Sequence, residues 1–128
     1  MLAIWKYMKV HLLKERTIRN YVLKNSPAAP GFQSWLDNLS EANWQTVNDI
    51  KKTFNSADVL RGDAQRVCFD ISGNNYRVIC KYLFGNKDVK LFVAWIGTHA
   101  EYDKLKKEKK HVTAENYKDY EWFKIYPH

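Results

Sequence analysis

Cysteine is scarce in this chain: Cys68 and Cys80 are the two among 128 residues. They form no CxxC, and His11, His99, His111 and His128 are too scattered to spell out a zinc-ligand set, so no metal or other cofactor is expected. This usage excludes a disulfide scaffold and fits a reducing, cytoplasmic setting. Long hydrophobic runs are missing too. No segment has the length and apolarity of a transmembrane helix, and no membrane partner is expected. The opening MLAIWKYMKV is briefly apolar but lacks a small-residue cleavage site, so it does not read as a signal peptide. Met8 offers an alternative start, which would leave residues 1–7 as an N-terminal extension. No internal repeat is visible. Acidic residues are in deficit, 14 Asp and Glu against 21 Lys and Arg, for a formal net charge of +7.

That surplus favours polyanionic partners such as nucleic acid or an acidic membrane surface. Part of it is concentrated in KLKKEKK (Lys104–Lys110), which sets five lysines against Glu108. The run suits phosphate binding, and it suits a solvated helical face equally well. Hydrophobic residues make up 45% of the chain, enough for one hydrophobic core and a single domain over residues 1–128. Aromatics run from Trp5 to Tyr126, and residues 112–128 form an aromatic-rich tail that could dock on the body or meet a partner.

Residues 8–13 (MKVHLL) can form a first strand. The period then changes. Ile18, Tyr21 and Val22 mark one face of a first helix, which the Asn25–Gly31 stretch breaks. Phe32, Trp35, Leu36 and Leu39 follow with the spacing of an amphipathic helix. A third helical piece starts at Thr46, where Thr46-x-x-Asp49 has the form of a cap and Val47, Ile50 and Phe54 form the apolar side. From residue 65 the pattern alternates. Val67, Phe69 and Ile71 lead into the turn signal Ser72-Gly73-Asn74-Asn75, and Tyr76–Tyr82 and Val89–Ile96 complete three antiparallel strands.

With Gly73 and Asn74 at the centre of the turn, Ile71 faces Tyr76, Asp70 faces Arg77, Phe69 faces Val78 and Val67 faces Cys80. Val67, Phe69, Ile71, Tyr76, Val78 and Cys80 then share the face that packs on the helices. Cys68, Asp70, Arg77, Ile79 and Lys81 share the other. Cys68 and Cys80 fall on opposite sides, which argues against a disulfide between them. Helices over one face of an antiparallel sheet make an α+β architecture.

On that second face Arg77 presents a planar cation suited to phosphate, and a cross-strand ion pair with Asp70 accounts for it equally well. The two are compatible, since Asp70 could orient Arg77. His99 follows the last strand and shares a short stretch with Tyr102 and Asp103. A histidine exchanges protons near neutral pH, and a tyrosine can position or donate one. Tyr102 also reads as a core aromatic, and Asp103 as a helix-surface partner for Lys106 or Lys107. Metal-free RNA cleavage needs a base for the 2′-hydroxyl, a cation for the phosphorane and an acid for the leaving 5′-oxygen, and these residue types could supply all three.

Two elements, VCFDISGNNYRVI (Val67–Ile79) and WIGTHAEYD (Trp95–Asp103), resemble the HigB toxins of the RelE/ParE superfamily. The stretch Ser34–Asp58 resembles that family's helical half, so the likeness covers roughly residues 8–111. It implies a RelE/ParE-like fold, with an N-terminal strand and two to three helices packed on a curved antiparallel sheet. It also implies ribosome-dependent mRNA cleavage, inhibition of translation and neutralisation by a cognate HigA-type helix-turn-helix antitoxin. Carried over residue by residue, the active-site candidates are Arg77, His99, Tyr102 and Asp103, with Asn74 serving the turn; Lys81, Lys104, Lys106 and Lys107, read from their charge, would bind rRNA or mRNA phosphates. Arg77 would stabilise the scissile phosphate, His99 transfer a proton, Tyr102 position the RNA or assist that transfer, and Asp103 orient His99 or Tyr102. Where the family often has two glycines in the turn, this chain has Ser72-Gly73. Two other readings stay open: a non-enzymatic, ParE-like inhibitor of DNA gyrase, and an RNA-binding module without catalysis.

Overall fold

The computed structural model of the chain describes residues 7–60 and 64–116. The order is β1 (Lys9–Leu13), α1 (Glu15–Lys24), a 3-10 turn (Ser26–Ala28), α2 (Ala29–Ser40), α3 (Asn48–Thr53), β2 (Asp58–Val59), β3 (Arg66–Ile71), β4 (Tyr76–Phe84), β5 (Asp88–Thr98) and α4 (His99–Lys107). The α+β class expected from the sequence is what the chain adopts. The expectations for residues 1–6 and for the tail from residue 117 lie outside the described residues.

The strands form one sheet in the order β1-β5-β4-β3-β2. β3, β4 and β5 pair antiparallel as their tight turns require. β1 lies parallel to β5, with Lys9 opposite Asp88 and Leu13 opposite Phe92, so the sheet is mixed. Alternation along a strand reports which face is buried and carries no information on the direction of a distant partner, so the sequence could not show this. β2 is a two-residue addition at the far edge, too short to leave a periodic signal.

The β3–β4 hairpin has the register read from its turn: Ile71 opposite Tyr76, Asp70 opposite Arg77, Phe69 opposite Val78 and Val67 opposite Cys80. Val67, Phe69, Ile71, Val78 and Cys80 are buried in the main core, with Tyr76 packed against it. Their partners are the expected apolar positions of α1, α2 and α3, including Ile18, Tyr21, Phe32, Trp35, Leu39 and Ile50. Phe69 sits edge-on between Trp35 and Phe54, with ring centroids 5.3 and 5.1 Å away, the tilted geometry that aromatic quadrupoles favour. Both cysteines are buried and free. α3 starts at Asn48, two residues after the expected Thr46, and the Asp49 carboxylate accepts the backbone N–H groups of Gln45 and Thr46 at 2.8 and 3.0 Å. In the turn, Ser72 adopts φ 55° and Gly73 φ 66°. Ser72 thus takes a left-handed conformation that glycine adopts at less cost.

The second face of the sheet is not bare. Leu60, Cys68, Ile79, Trp95 and Tyr102 form a smaller buried cluster, closed by Leu105, Val112 and Ala114. The sequence reading placed helices on one face alone, but α4 and the segment after it cover part of the other. The covering segment is anchored by Arg66, whose buried guanidinium donates to the backbone oxygens of Ala114 at 2.7 Å and His111 at 3.4 Å and lies 3.6 Å from the Glu115 carboxylate. The first residues of the expected tail therefore dock on the body. No described helix is long and apolar enough to cross a membrane.

Candidate active site

The site is assembled where the β3–β4 turn meets the start of α4. Thr98 caps that helix: its hydroxyl accepts the Glu101 N–H at 3.2 Å, and the Glu101 carboxylate accepts the Thr98 N–H at 2.8 Å. This reciprocal capping box fixes the first turn. His99, Tyr102 and Asp103 then stand at i, i+3 and i+4 on one side of the helix. The backbone N–H of His99 also donates to Asn75 O at 2.9 Å, tying the helix start to the turn. Gly97 leaves room for the Trp95 ring, which a Cβ there would meet at 2.3 Å.

The result is a cavity of about 220 Å³ lined by Asp58, Cys68, Asp70, Arg77, His99, Tyr102, Asp103 and Lys106. It falls below the range of pockets that enclose a small molecule, about 300 Å³ upward. Of the site candidates read from the sequence, Arg77, His99, Tyr102, Asp103 and Lys106 meet here.

Arg77 is almost fully buried. Its Nε lies 3.0 Å from the Asp70 carboxylate, and Nη1 donates to Tyr76 O at 3.0 Å. Nη2 donates to Asn74 Oδ1 in a short hydrogen bond and approaches His99 Nδ1 to 2.7 Å. The cross-strand pair with Asp70 and the approach to His99 thus coexist. His99 is half-exposed, and its Nε2 lies 3.0 Å from the Asp103 carboxylate. That contact replaces the pairing of Asp103 with Lys106 or Lys107 weighed from the sequence.

Tyr102 is 5% exposed. Its ring packs against Trp95 and His111, with centroids 6.2 and 6.3 Å away. The hydroxyl makes no well-formed hydrogen bond. Burial holds it well above the ordinary tyrosine range, and the adjacent Cys68 thiol adds to the effect. Burial also pushes the Cys68 thiol up to about 12. Neither group ionises near neutral pH; buried and lining the cavity, they form its floor.

Lys81 shares the face of Arg77 but does not line the cavity. It sits four residues along β4, roughly 13 Å away at the rise of a strand, and pairs with Glu115 at 2.9 Å. Lys104 and Lys107 are exposed on α4 outside the cavity. With Lys106 they occupy the last turn of the helix, where cations complement the helix dipole. Among the described residues, no three His, Cys, Asp or Glu side chains converge as a metal site.

Sequence reasoning missed Asp58, Cys68 and the bond from Arg77 to Asn74. Asp58 lies on a strand too short to recognise, and Asn74 was assigned to the turn alone. The Thr98-x-x-Glu101 capping box was legible and would have placed His99, Tyr102 and Asp103 on one helical side. A second depression, of about 380 Å³ between α1 and α2, is lined mostly by Ile18, Val22, Leu23, Phe32 and Leu36. It brings together no acid or base pair.

Residues 28–105, more than half of the chain, match the HigB toxin family, described as the RelE-like toxic component of a toxin-antitoxin system. The chain is also similar to the mRNA interferase HigB of Escherichia coli O6:H1 (strain CFT073), at 29% identity over 96 residues, covering 75% of this chain and 91% of that protein.

Proposed function

The chain belongs to the HigB toxin family of RelE-like toxins, and from that premise we propose that it is an endoribonuclease that cuts mRNA on the ribosome and so blocks translation. The observation that carries this reading is the placement of His99 between Arg77 and Asp103, at 2.7 and 3.0 Å, on the wall of a small cavity. The relative of known activity, an mRNA interferase, points the same way.

Cleavage proceeds by attack of a 2′-hydroxyl on the adjacent phosphorus, a route that needs proton transfer and charge stabilisation from side chains alone. His99 transfers the proton and Asp103 orients its ring. Arg77 supplies positive charge to the scissile phosphate from the inner wall, and Lys106 does so from the open side. Tyr102 acts as the floor against which the sugar-phosphate settles. Lys104 and Lys107 hold the RNA backbone beyond the cavity. A site this small positions one linkage and little of the chain around it, so alignment comes from the ribosome holding the mRNA. A cognate antitoxin with a helix-turn-helix DNA-binding domain neutralises the toxin in the cytoplasm.

The test is primer extension on mRNA in a translation reaction, with and without the protein and with and without ribosomes. New cuts that require both establish ribosome-dependent cleavage. Intact mRNA in the presence of folded protein removes the ribonuclease reading, and DNA-damage signalling on expression would then point to gyrase.

A further inference from the structure

Arg77 and His99 meet through a hydrogen bond whose direction is fixed by chemistry. A guanidinium carries five N–H donors and accepts nothing. The contact of Arg77 Nη2 with His99 Nδ1 at 2.7 Å therefore requires a lone pair on Nδ1. On the other side of the ring, the Asp103 carboxylate 3.0 Å from Nε2 is an acceptor, so Nε2 carries the hydrogen. A neutral imidazole has one basic lone pair, and here it is directed into Arg77.

This arrangement cannot act as a base where it stands. A proton placed on Nδ1 would set N–H against N–H. Arg77 is also held from three other directions: Asp70 at Nε, Tyr76 O at Nη1 and Asn74 at Nη2. These contacts hold the guanidinium with Nη2 directed at Nδ1. A phosphate would change the balance, because its oxygens accept from guanidinium N–H groups in stronger, charge-assisted bonds than a neutral imidazole nitrogen does.

We infer that Arg77, besides carrying charge to the phosphate, masks the basic nitrogen of His99 in the free protein, and that a phosphate in the cavity unmasks it. The inference rests on the ribonuclease reading for its purpose but not for its geometry. With a phosphate oxygen accepting from Nη2, Nδ1 is released. It takes the proton of the 2′-hydroxyl as the O2′–P bond forms, while Nε2–H stays on Asp103. The imidazolium then returns one proton to the 5′-oxygen as the P–O5′ bond breaks. The histidine ends neutral, and no external oxidant, reductant or co-reactant enters.

The experiment is nitrogen NMR on histidine-labelled protein, with His99 assigned through the H99Q variant. In the free wild-type protein His99 is expected as a single tautomer with its proton on Nε2, and with Nδ1 showing the displacement of an accepted hydrogen bond. Adding inorganic phosphate is expected to move the Nδ1 resonance while the Nε2 proton remains. A proton on Nδ1 in the free protein overturns the inference, and so does an Nδ1 resonance that no phosphate concentration moves. The D103N variant supplies a check that spares Arg77: its amide oxygen still accepts from Nε2–H, so the tautomer is expected to persist. A switch to Nδ1–H there assigns the tautomer to Asp103 and overturns the role given to Arg77. None of these readouts uses cleavage. Intact mRNA on ribosomes with the expected spectra removes the ribonuclease reading and leaves the masking in place, whereas cut mRNA with unexpected spectra does the reverse.

Discussion

Asn116 grips Ile96 with both ends of its side-chain amide: Oδ1 accepts the Ile96 N–H at 3.1 Å, and Nδ2 donates to Ile96 O at 2.6 Å. The backbone N–H of Asn116 adds a third bond, to Ala94 O at 3.2 Å. Pairing with β1 stops at Phe92, so among the described residues this stretch of β5 has no strand on that side, and one side chain takes the place of one. An Asn116→Ala variant leaves two backbone groups in need of partners. It is expected to lose about 1–3 kcal/mol of stability. Urea denaturation checks this as a lower midpoint with an unchanged slope.

A pH dependence follows from Glu115. Its carboxyl is held below the usual carboxylate range, first by the hydrogen bond from Lys81 and then by the charges of Lys81 and Arg66. A lowered folded value means that the stabilisation is present above the ordinary glutamate range and is lost as pH falls through the folded value. The difference in melting temperature between wild type and Glu115→Gln is therefore expected at neutral pH and should vanish in acid. Because Glu115 is substantially exposed, the difference is expected to be small and to shrink with added salt.

Tyr102 divides a catalytic role from a supporting one. Its hydroxyl is buried without a well-formed hydrogen bond, so Tyr102→Phe removes a polar group that gains little from the fold. Stability is expected to stay within about 1 kcal/mol or to rise, and cleavage to survive. A loss of cleavage with stability intact would show that the hydroxyl touches the RNA.

His99 and Arg77 are expected to fail in different ways. His99 is half-exposed, so His99→Ala should change stability by only about 0.5 kcal/mol while lowering the cleavage rate roughly 10²–10⁴-fold. Arg77→Ala also strands the Asp70 carboxylate, at a cost of about 3 kcal/mol. Single-turnover cleavage on programmed ribosomes, read beside thermal melts, separates the two.

The cysteines are expected to resist alkylation in the native protein. Burial raises both thiols, Cys68 to about 12 and Cys80 further, and the thiolate is the reactive form. Labelling with iodoacetamide at neutral pH should be slow and should accelerate as urea unfolds the chain. Rapid labelling of Cys68 under native conditions would show that the floor of the cavity opens.

Much of this was legible because local chemistry and global packing agree. The Ser72–Asn75 turn sets the hairpin register, and that register alone places Asp70 opposite Arg77. The spacing of Phe32, Trp35, Leu36 and Leu39 gave α2 and the face it buries. What stayed hidden depends on pieces distant in sequence. The direction of β1 is decided by β5, and the cover over Trp95 and Ile79 is decided by Arg66 reaching residues 111–115. The approach of Arg77 to His99 needed both the hairpin register and the capped start of α4, and the second of these went unread although Thr98 and Glu101 spell it out. The lysine run carried the opposite lesson, since Lys81 and the run were grouped by charge while Lys106 is the lysine that reaches the cavity.

The parallel pairing of β1 with β5 bears on how the protein is made. Lys9 waits for Asp88, and the helix carrying His99 begins still later. Loop-closure entropy makes such a distant pairing late and slow, raising the contact order of the whole fold. During synthesis the first strand leaves the ribosome long before its neighbour exists, because β5 is the last strand of the sheet to be translated. A nascent chain therefore has no assembled cavity until nearly all of it has emerged. A product that stops before α4 lacks His99, Tyr102, Asp103 and Lys106, and with them one wall of the cavity.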